Sequence, residues 1–244
     1  DLDIVAGARM RREIVTLLND GDGTYPWLER TSVAHPPDGS VVVADLAGDD
    51  EYPDVVFTSA DSGVTSVLRG NGDGTFAPDS ELTTPSAYQV TVADIDGDGT
   101  NDLLVPQYAY NTSDRLKLWQ RDTDPESDTA GQWLPTTLTA PRPTNLDVVD
   151  LHAVAAWAGD IDGDGDVDVV ALGSTNSTGA SGACVQTGTV QCARVLLNDA
   201  TGQLVGQPEV YAFDVANGGS YVDEVRVGGT LHDLDGDGNL DVVA

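Results

Sequence analysis

One nine-residue word recurs three times in this chain and aligns without a gap: Asp94-Ile-Asp-Gly-Asp-Gly-Thr-Asn-Asp102, Asp160-Ile-Asp-Gly-Asp-Gly-Asp-Val-Asp168 and Asp233-Leu-Asp-Gly-Asp-Gly-Asn-Leu-Asp241. An apolar run follows each copy: Leu103-Leu-Val105, Val169-Val-Ala171 and Val242-Val-Ala244. A short strand-like segment, such as Val90-Thr-Val-Ala93, leads into it. Recurrence of this kind means an array of like units, each too small to bury both of its faces alone, so that neighbours must stack.

A fourth copy, Asp45-Leu-Ala-Gly-Asp49-Asp-Glu-Tyr-Pro-Asp54, carries Ala47 in place of the second Asp and one extra residue before Asp54. A fifth is cut by the chain start, where Leu2-Asp3-Ile4-Val5-Ala6 matches Leu240-Asp241-Val242-Val243-Ala244, so we expect further sequence upstream. Between the words lies a second signature. Val15-Thr-Leu-Leu-Asn-Asp-Gly-Asp-Gly-Thr-Tyr25 matches Val67-Leu-Arg-Gly-Asn-Gly-Asp-Gly-Thr-Phe76, with weaker echoes at Leu116-Lys-Leu-Trp119 and Val195-Leu-Leu-Asn-Asp-Ala-Thr-Gly-Gln-Leu204. Apolar residues flanking an Asn/Asp-Gly turn signal a hairpin. Each unit therefore reads as strand, acidic loop, strand, connection, strand, turn, strand, which is a four-stranded antiparallel blade. The units run about 1–39, 40–87, 88–152, 153–225 and 226–244, the first and last partial. The fold expected is all-β, a single β-propeller or a fragment of one with about four blades' worth of sequence, because radial stacking limits exposed edges.

The word itself predicts metal. Aspartates at its first, third and fifth positions aim three carboxylates at one centre, glycine at the sixth permits the sharp bend, a carbonyl at the seventh adds an oxygen, and aspartate at the ninth closes the shell. Several hard anionic oxygens suit Ca²⁺ better than Mg²⁺. The ligands expected are Asp94, Asp96, Asp98, Asp102 and the Thr100 carbonyl; Asp160, Asp162, Asp164, Asp168 and the Asp166 carbonyl; and Asp233, Asp235, Asp237, Asp241 and the Asn239 carbonyl. Asp45, Asp49 and Asp54 form a weak fourth site or an empty loop. The opening resembles an EF-hand, but an EF-hand needs flanking helices and a Glu at position twelve, where this chain has Val105, Ala171 and Ala244.

Charge narrows the partners. Forty-one acidic residues against 11 basic ones leave −30, and Lys117 is the only lysine. That argues against nucleic acid and anionic membranes. It suits either a high-salt environment, where self-repulsion is screened, or an acidic secreted protein. Cys184 and Cys192 flank a Thr-Gly turn and can close a hairpin disulfide in an oxidising compartment, the alternative being two free thiols. Sequons at Asn111 and Asn176 are compatible with secretion.

The three aspartate words and the Asn71-Gly-Asp-Gly-Thr-Phe76 turn resemble the FG-GAP repeat of integrin α-subunit propellers and the related VCBS repeat of secreted bacterial and archaeal proteins. The resemblance covers nearly the whole chain, although the Phe-Gly and Gly-Ala-Pro boxes that name the repeat are not intact. It implies a propeller, often seven-bladed, with metal loops joining the first two strands of a blade, and roles in adhesion, ligand recognition or carbohydrate binding.

Nothing in the sequence marks a catalyst. His35, His152 and His232 fall in different units, and no Gly-x-Ser-x-Gly, His-Glu-x-x-His or phosphate loop occurs. Trp27, Trp119, Trp133 and Trp157 belong either to packing between units or to sugar-stacking platforms. The inserts Arg121 to Asn145 and Ser174 to Gln191 read as surface loops, where a partner would engage. The leading expectation is a non-catalytic extracellular module, stabilised by Ca²⁺, for adhesion, protein interaction or assembly. Alternatives are a lectin-like carbohydrate-binding propeller and, with little support, a polysaccharide lyase or hydrolase. Self-assembly by strand exchange is an extension of the first reading.

Overall fold

A computed structural model describes residues 1–46, 52–107, 116–137, 152–174, 191–198, 204–213 and 229–243. Asp49, Cys184 and both sequons lie outside these residues. So does most of the insert from Ser174 to Gln191.

The described residues form five antiparallel sheets in sequence order. The first has β1 (Ile4–Ala8), β2 (Glu13–Leu18) and β3 (Trp27–Ser32). The second has β4 (Val41–Ala44), β5 (Asp54–Ser59), β6 (Val64–Gly70) and β7 (Phe76–Thr83). The third has β8 (Thr91–Ala93), β9 (Asp102–Pro106), β10 (Leu116–Arg121) and β11 (Trp133–Thr137). The fourth has β12 (His152–Gly159), β13 (Asp168–Ser174), β14 (Gln191–Asn198) and β15 (Leu204–Phe213). The fifth pairs β16 (Thr230–His232) with β17 (Asp241–Val243). All neighbouring strands are antiparallel meanders. The one helical turn among the described residues is the 3₁₀ segment Arg9–Arg11. No helix among them is long and apolar enough to cross a membrane. The expectation of an all-β chain of four-stranded antiparallel sheets is met. The segment Arg121 to Asn145 departs from its reading as a loop, because Trp133–Thr137 within it pairs with β10 as a fourth strand.

The sheets stack face to face because their second strands are apolar on both sides. In β5, Val56 packs towards Leu103, Val105 and Trp119 of the third sheet, while Val55 and Phe57 pack towards Ile14 of the first. In β9, Leu104 turns the other way and joins Leu118, Ala156, Val169 and Leu196 between the third and fourth sheets. In β13, Val170 and Leu172 face Trp157 and Leu231. Period-two alternation thus feeds two cores at once. Each fully buried Val or Leu contributes about 1.5–3 kcal/mol.

First strands of successive sheets are neighbours: β1 with β4, β4 with β8, β8 with β12 and β12 with β16. Polar stitches reinforce this order. Val90 N–H donates to Ser40 Oγ at 2.9 Å. Gln89 exchanges two hydrogen bonds with the Ala156 backbone, both at 3.0 Å. The acidic loops all join a first strand to a second, so this stacking lays them side by side.

Candidate metal centres

Each loop begins where a two-strand ladder ends. Ala93 pairs with Asp102, Gly159 with Asp168 and His232 with Asp241, leaving eight residues to turn between them. Two glycines in each copy take the left-handed conformation that side chains resist, for example Gly97 at φ 73° and Gly99 at 89°. This bend points loop N–H groups inward at the first aspartate. Asp94 accepts from Asp98 and Gly99, Asp160 from Gly163 and Gly165, and Asp233 from Gly236, Asp237 and Gly238.

Three carboxylates converge in each copy. Asp94, Asp96 and Asp102 bring one oxygen apiece within 4.8 Å of one another, as do Asp160, Asp162 and Asp168, and Asp233, Asp235 and Asp241. The fifth-position residues are placed otherwise. Asp98, Asp164 and Asp237 lie outside these groups and accept the N–H two residues on, from Thr100 at 2.7 Å, Asp166 at 3.0 Å and Asn239 at 2.8 Å. Thr100, Asp166 and Asn239 thereby hold their peptide units in the bend. The third-position Asp96 and Asp235 make the same kind of bond, from the Asp98 and Asp237 N–H groups, and still belong to the convergent groups.

The ninth aspartate does two jobs. With one oxygen it accepts the N–H of the residue after the first aspartate: Ile95 to Asp102 at 3.0 Å, Ile161 to Asp168 at 2.8 Å and Leu234 to Asp241 at 2.9 Å. Its other oxygen is available to the cluster or to the third strand. Asp102 and Asp168 are buried, at 2% and 0% exposure, whereas Asp241 is only partly covered. The degenerate loop keeps this strut. Asp54, 2% exposed, accepts from Leu46 at 3.1 Å and from Gly70 at 2.9 Å. Asp45 lends its carbonyl to Asn101 Nδ2 of the next loop at 2.8 Å.

Electrostatics mark the first loop as under tension. Burial, followed by the Asp96, Asp98 and Asp94 charges, pushes the Asp102 carboxyl up to about 7 despite the Ile95 N–H, which acts in the opposite direction. Burial and then Asp98 raise Asp96 as well, against the amide of Gln120. In the second loop, burial and the charges of Asp164, Asp168 and Asp160 raise Asp162. In the third, the Gly238 N–H leads the contacts that lower Asp233. Oxygens crowded together with rising proton affinity are what a divalent ion would relieve, so the donor set fits a hard cation.

The tryptophans divide. Trp119, Trp133 and Trp157 are buried, and Lys117 and Arg121 lie over the first two rings at 5.8 and 5.9 Å. These three are packing residues rather than sugar platforms, and Trp27 alone is exposed. Of the cysteines, the backbone of Cys192 sits in β14 opposite Gly173 and Ala212. Gln120 against Asp96, and the asparagines at the strand ends, escaped the sequence reading. The repeated Leu-Leu-Asn of Asn19 and Asn198 was the available signal for the latter.

Residues 49–105 match the family model described as an FG-GAP-like repeat. The match runs from the degenerate loop through the Asn71-Gly72-Asp73-Gly74 turn and the loop 94–102 into β9. Repeats of this description are typically non-catalytic. No curated protein matches the chain.

Proposed function

We propose that this chain, carrying an FG-GAP-like repeat, is a non-catalytic extracellular module whose acidic loops bind Ca²⁺ as a structural ion. The observation that carries the reading is the convergence of first, third and ninth carboxylates at the same strand junction in three copies. Asp94, Asp96 and Asp102 hold the first ion, Asp160, Asp162 and Asp168 the second, and Asp233, Asp235 and Asp241 the third. On binding, the ion supplies the positive charge that the burial of Asp102 and Asp168 demands. The chain's own part is to orient those oxygens with loop N–H groups and to fix the junction of the first two strands. Asp45, Asp49 and Asp54 make a weaker fourth site, since Ala47 removes one oxygen.

The neighbouring first strands support a propeller, each four-stranded sheet serving as a blade. The module serves adhesion, protein interaction or assembly, with a protein or glycan partner engaged through the loops, and a net charge of −30 turns nucleic acid and anionic membranes away. Extracellular Ca²⁺ modules work at dissociation constants of about 10⁻⁴–10⁻³ M. Isothermal titration of chelator-stripped protein with CaCl₂ tests the reading. About three sites are expected, with MgCl₂ a poor competitor, and a titration without saturable heat would overturn it.

A further inference from the structure

The geometry points to Asn198 as a positioning residue that couples the neighbouring loops 94–102 and 160–168, so that filling one raises the other's affinity for cation. This rests on the cation reading above. Asn198 closes β14 and is 8% exposed. Its N–H donates to Asp168 Oδ1 at 2.8 Å. Its side-chain Nδ2 donates to two carbonyls, Val167 of its own loop at 3.2 Å and Ile95 of the neighbouring loop at 2.7 Å. The N–H of Ile95 in turn donates to Asp102 Oδ2 at 3.0 Å. A run of hydrogen bonds therefore leads from Asp102 through Ile95 and Asn198 to Asp168, and both ends belong to the convergent carboxylate groups.

The amide cannot be turned over. Its oxygen would then face two carbonyl oxygens, so the donor orientation is fixed by its surroundings. Asn19 supplies an internal comparison. Its N–H donates to Asp3 Oδ1 at 2.8 Å and its Nδ2 to the Leu2 carbonyl at 3.1 Å, repeating the local pair. The bond to Ile95 is what Asn198 adds, and it crosses from one sheet to the next. Ile95 is 1% exposed and packs with Ala156, Val169 and Leu196, so its backbone is held by both sheets.

Coupling follows from the free energy of ordering. Without cation, each loop holds three like charges within 4.8 Å and is loosened by their repulsion. With Asp102 held at a cation, the Ile95 peptide would be fixed, and its carbonyl would fix the Asn198 amide that holds Val167, while the Asn198 backbone N–H holds Asp168. The second cation then meets a loop already ordered, which is positive cooperativity.

The test is a double-mutant cycle on ¹⁵N-labelled protein titrated with CaCl₂, in which the amide resonances of Gly163 and Gly165 report the second loop alone. Asp96→Asn disables the first loop. In the parent chain it is expected to weaken Ca²⁺ binding at the second loop by about 5-fold, and in an Asn198→Ala background by nothing measurable. Equal losses in both backgrounds, or no loss in either, would overturn the coupling. Asn198→Ser, which like alanine keeps the backbone N–H to Asp168 but leaves a small polar group in the buried site, serves if the alanine variant does not fold. Hydrogen exchange in EDTA adds a metal-free readout, with faster exchange at the Ile95 amide expected in the Asn198 variants and unchanged exchange counting against the bridge. Calcium binding without coupling sinks this proposal alone, whereas loops that take no Ca²⁺ sink the function reading and the coupling with it.

Discussion

Asp168 and Asn198 meet at a junction of three strands. One Asp168 oxygen accepts the Asn198 N–H from β14 at 2.8 Å, and the other accepts the Ile161 N–H at 2.8 Å. Asp54 does the same for Gly70 and Leu46. The ninth aspartate is thus a strut of the sheet as well as a candidate ligand, and this explains why the degenerate loop keeps Asp54 while losing its second aspartate to Ala47.

Asp168→Asn separates the two roles. The amide would turn a donor towards a backbone N–H in a buried site, and a buried unsatisfied donor costs about 1–3 kcal/mol. Urea denaturation in EDTA should show this loss. Asp164→Asn, on the exposed part of the loop, should shift stability by less than about 0.5 kcal/mol. Equal effects from the two variants would contradict the strut.

Chelation should lower the melting temperature. An ion that binds only the folded loops adds about 2.7 kcal/mol per site when its free concentration is 100 times the dissociation constant. Differential scanning calorimetry with Ca²⁺ and then with EDTA reads the difference, and Mg²⁺ should restore little of it. An unchanged melt would refute a structural ion.

Leu104→Ala should cost about 2–5 kcal/mol, because the side chain fills the core between the third and fourth sheets. Leu234, 64% exposed, should tolerate the same change within about 0.5 kcal/mol. Chemical denaturation of both variants in Ca²⁺ checks the pair, and a mild Leu104 effect would argue against the stacked arrangement.

Two glycine substitutions should fail for different reasons. A Cβ on Gly70 would sit 2.3 Å from the Pro53 carbonyl oxygen, so Gly70→Ala displaces the β6 end that Asp54 holds and costs about 1–3 kcal/mol. A Cβ on Gly163 meets nothing within 4 Å, but its φ of 80° costs an L-residue about 1–2 kcal/mol. The first loss should appear with or without Ca²⁺. The second should appear chiefly as weaker Ca²⁺ binding, and the reverse pattern would contradict the assignment.

Salt should stabilise the metal-free chain. Raising ionic strength from about 0.01 to 1 M shortens the screening length from roughly 30 to 3 Å, which relieves repulsion in a chain of net charge −30. Thermal melts in EDTA across that range should rise with NaCl, and a falling melt would show that repulsion is not the governing term.

The unit, the strand pattern and the acidic loops were legible from the residues alone, because those depend on local periodicity, Asp-Gly turn chemistry and spacing along one stretch of chain. Leu103-Leu-Val105 announces a strand buried on both faces, and Gly97 and Gly99 announce the bend. The sequence did not reveal which loop N–H group each aspartate accepts, nor that Trp133 opens a fourth strand inside what read as a loop. Which asparagine reaches the neighbouring loop emerged from the stacking of the sheets. Asn198 and Ile95 are far apart in sequence and meet only when two sheets stack, and no local pattern encodes which side chain will face which carbonyl across that contact.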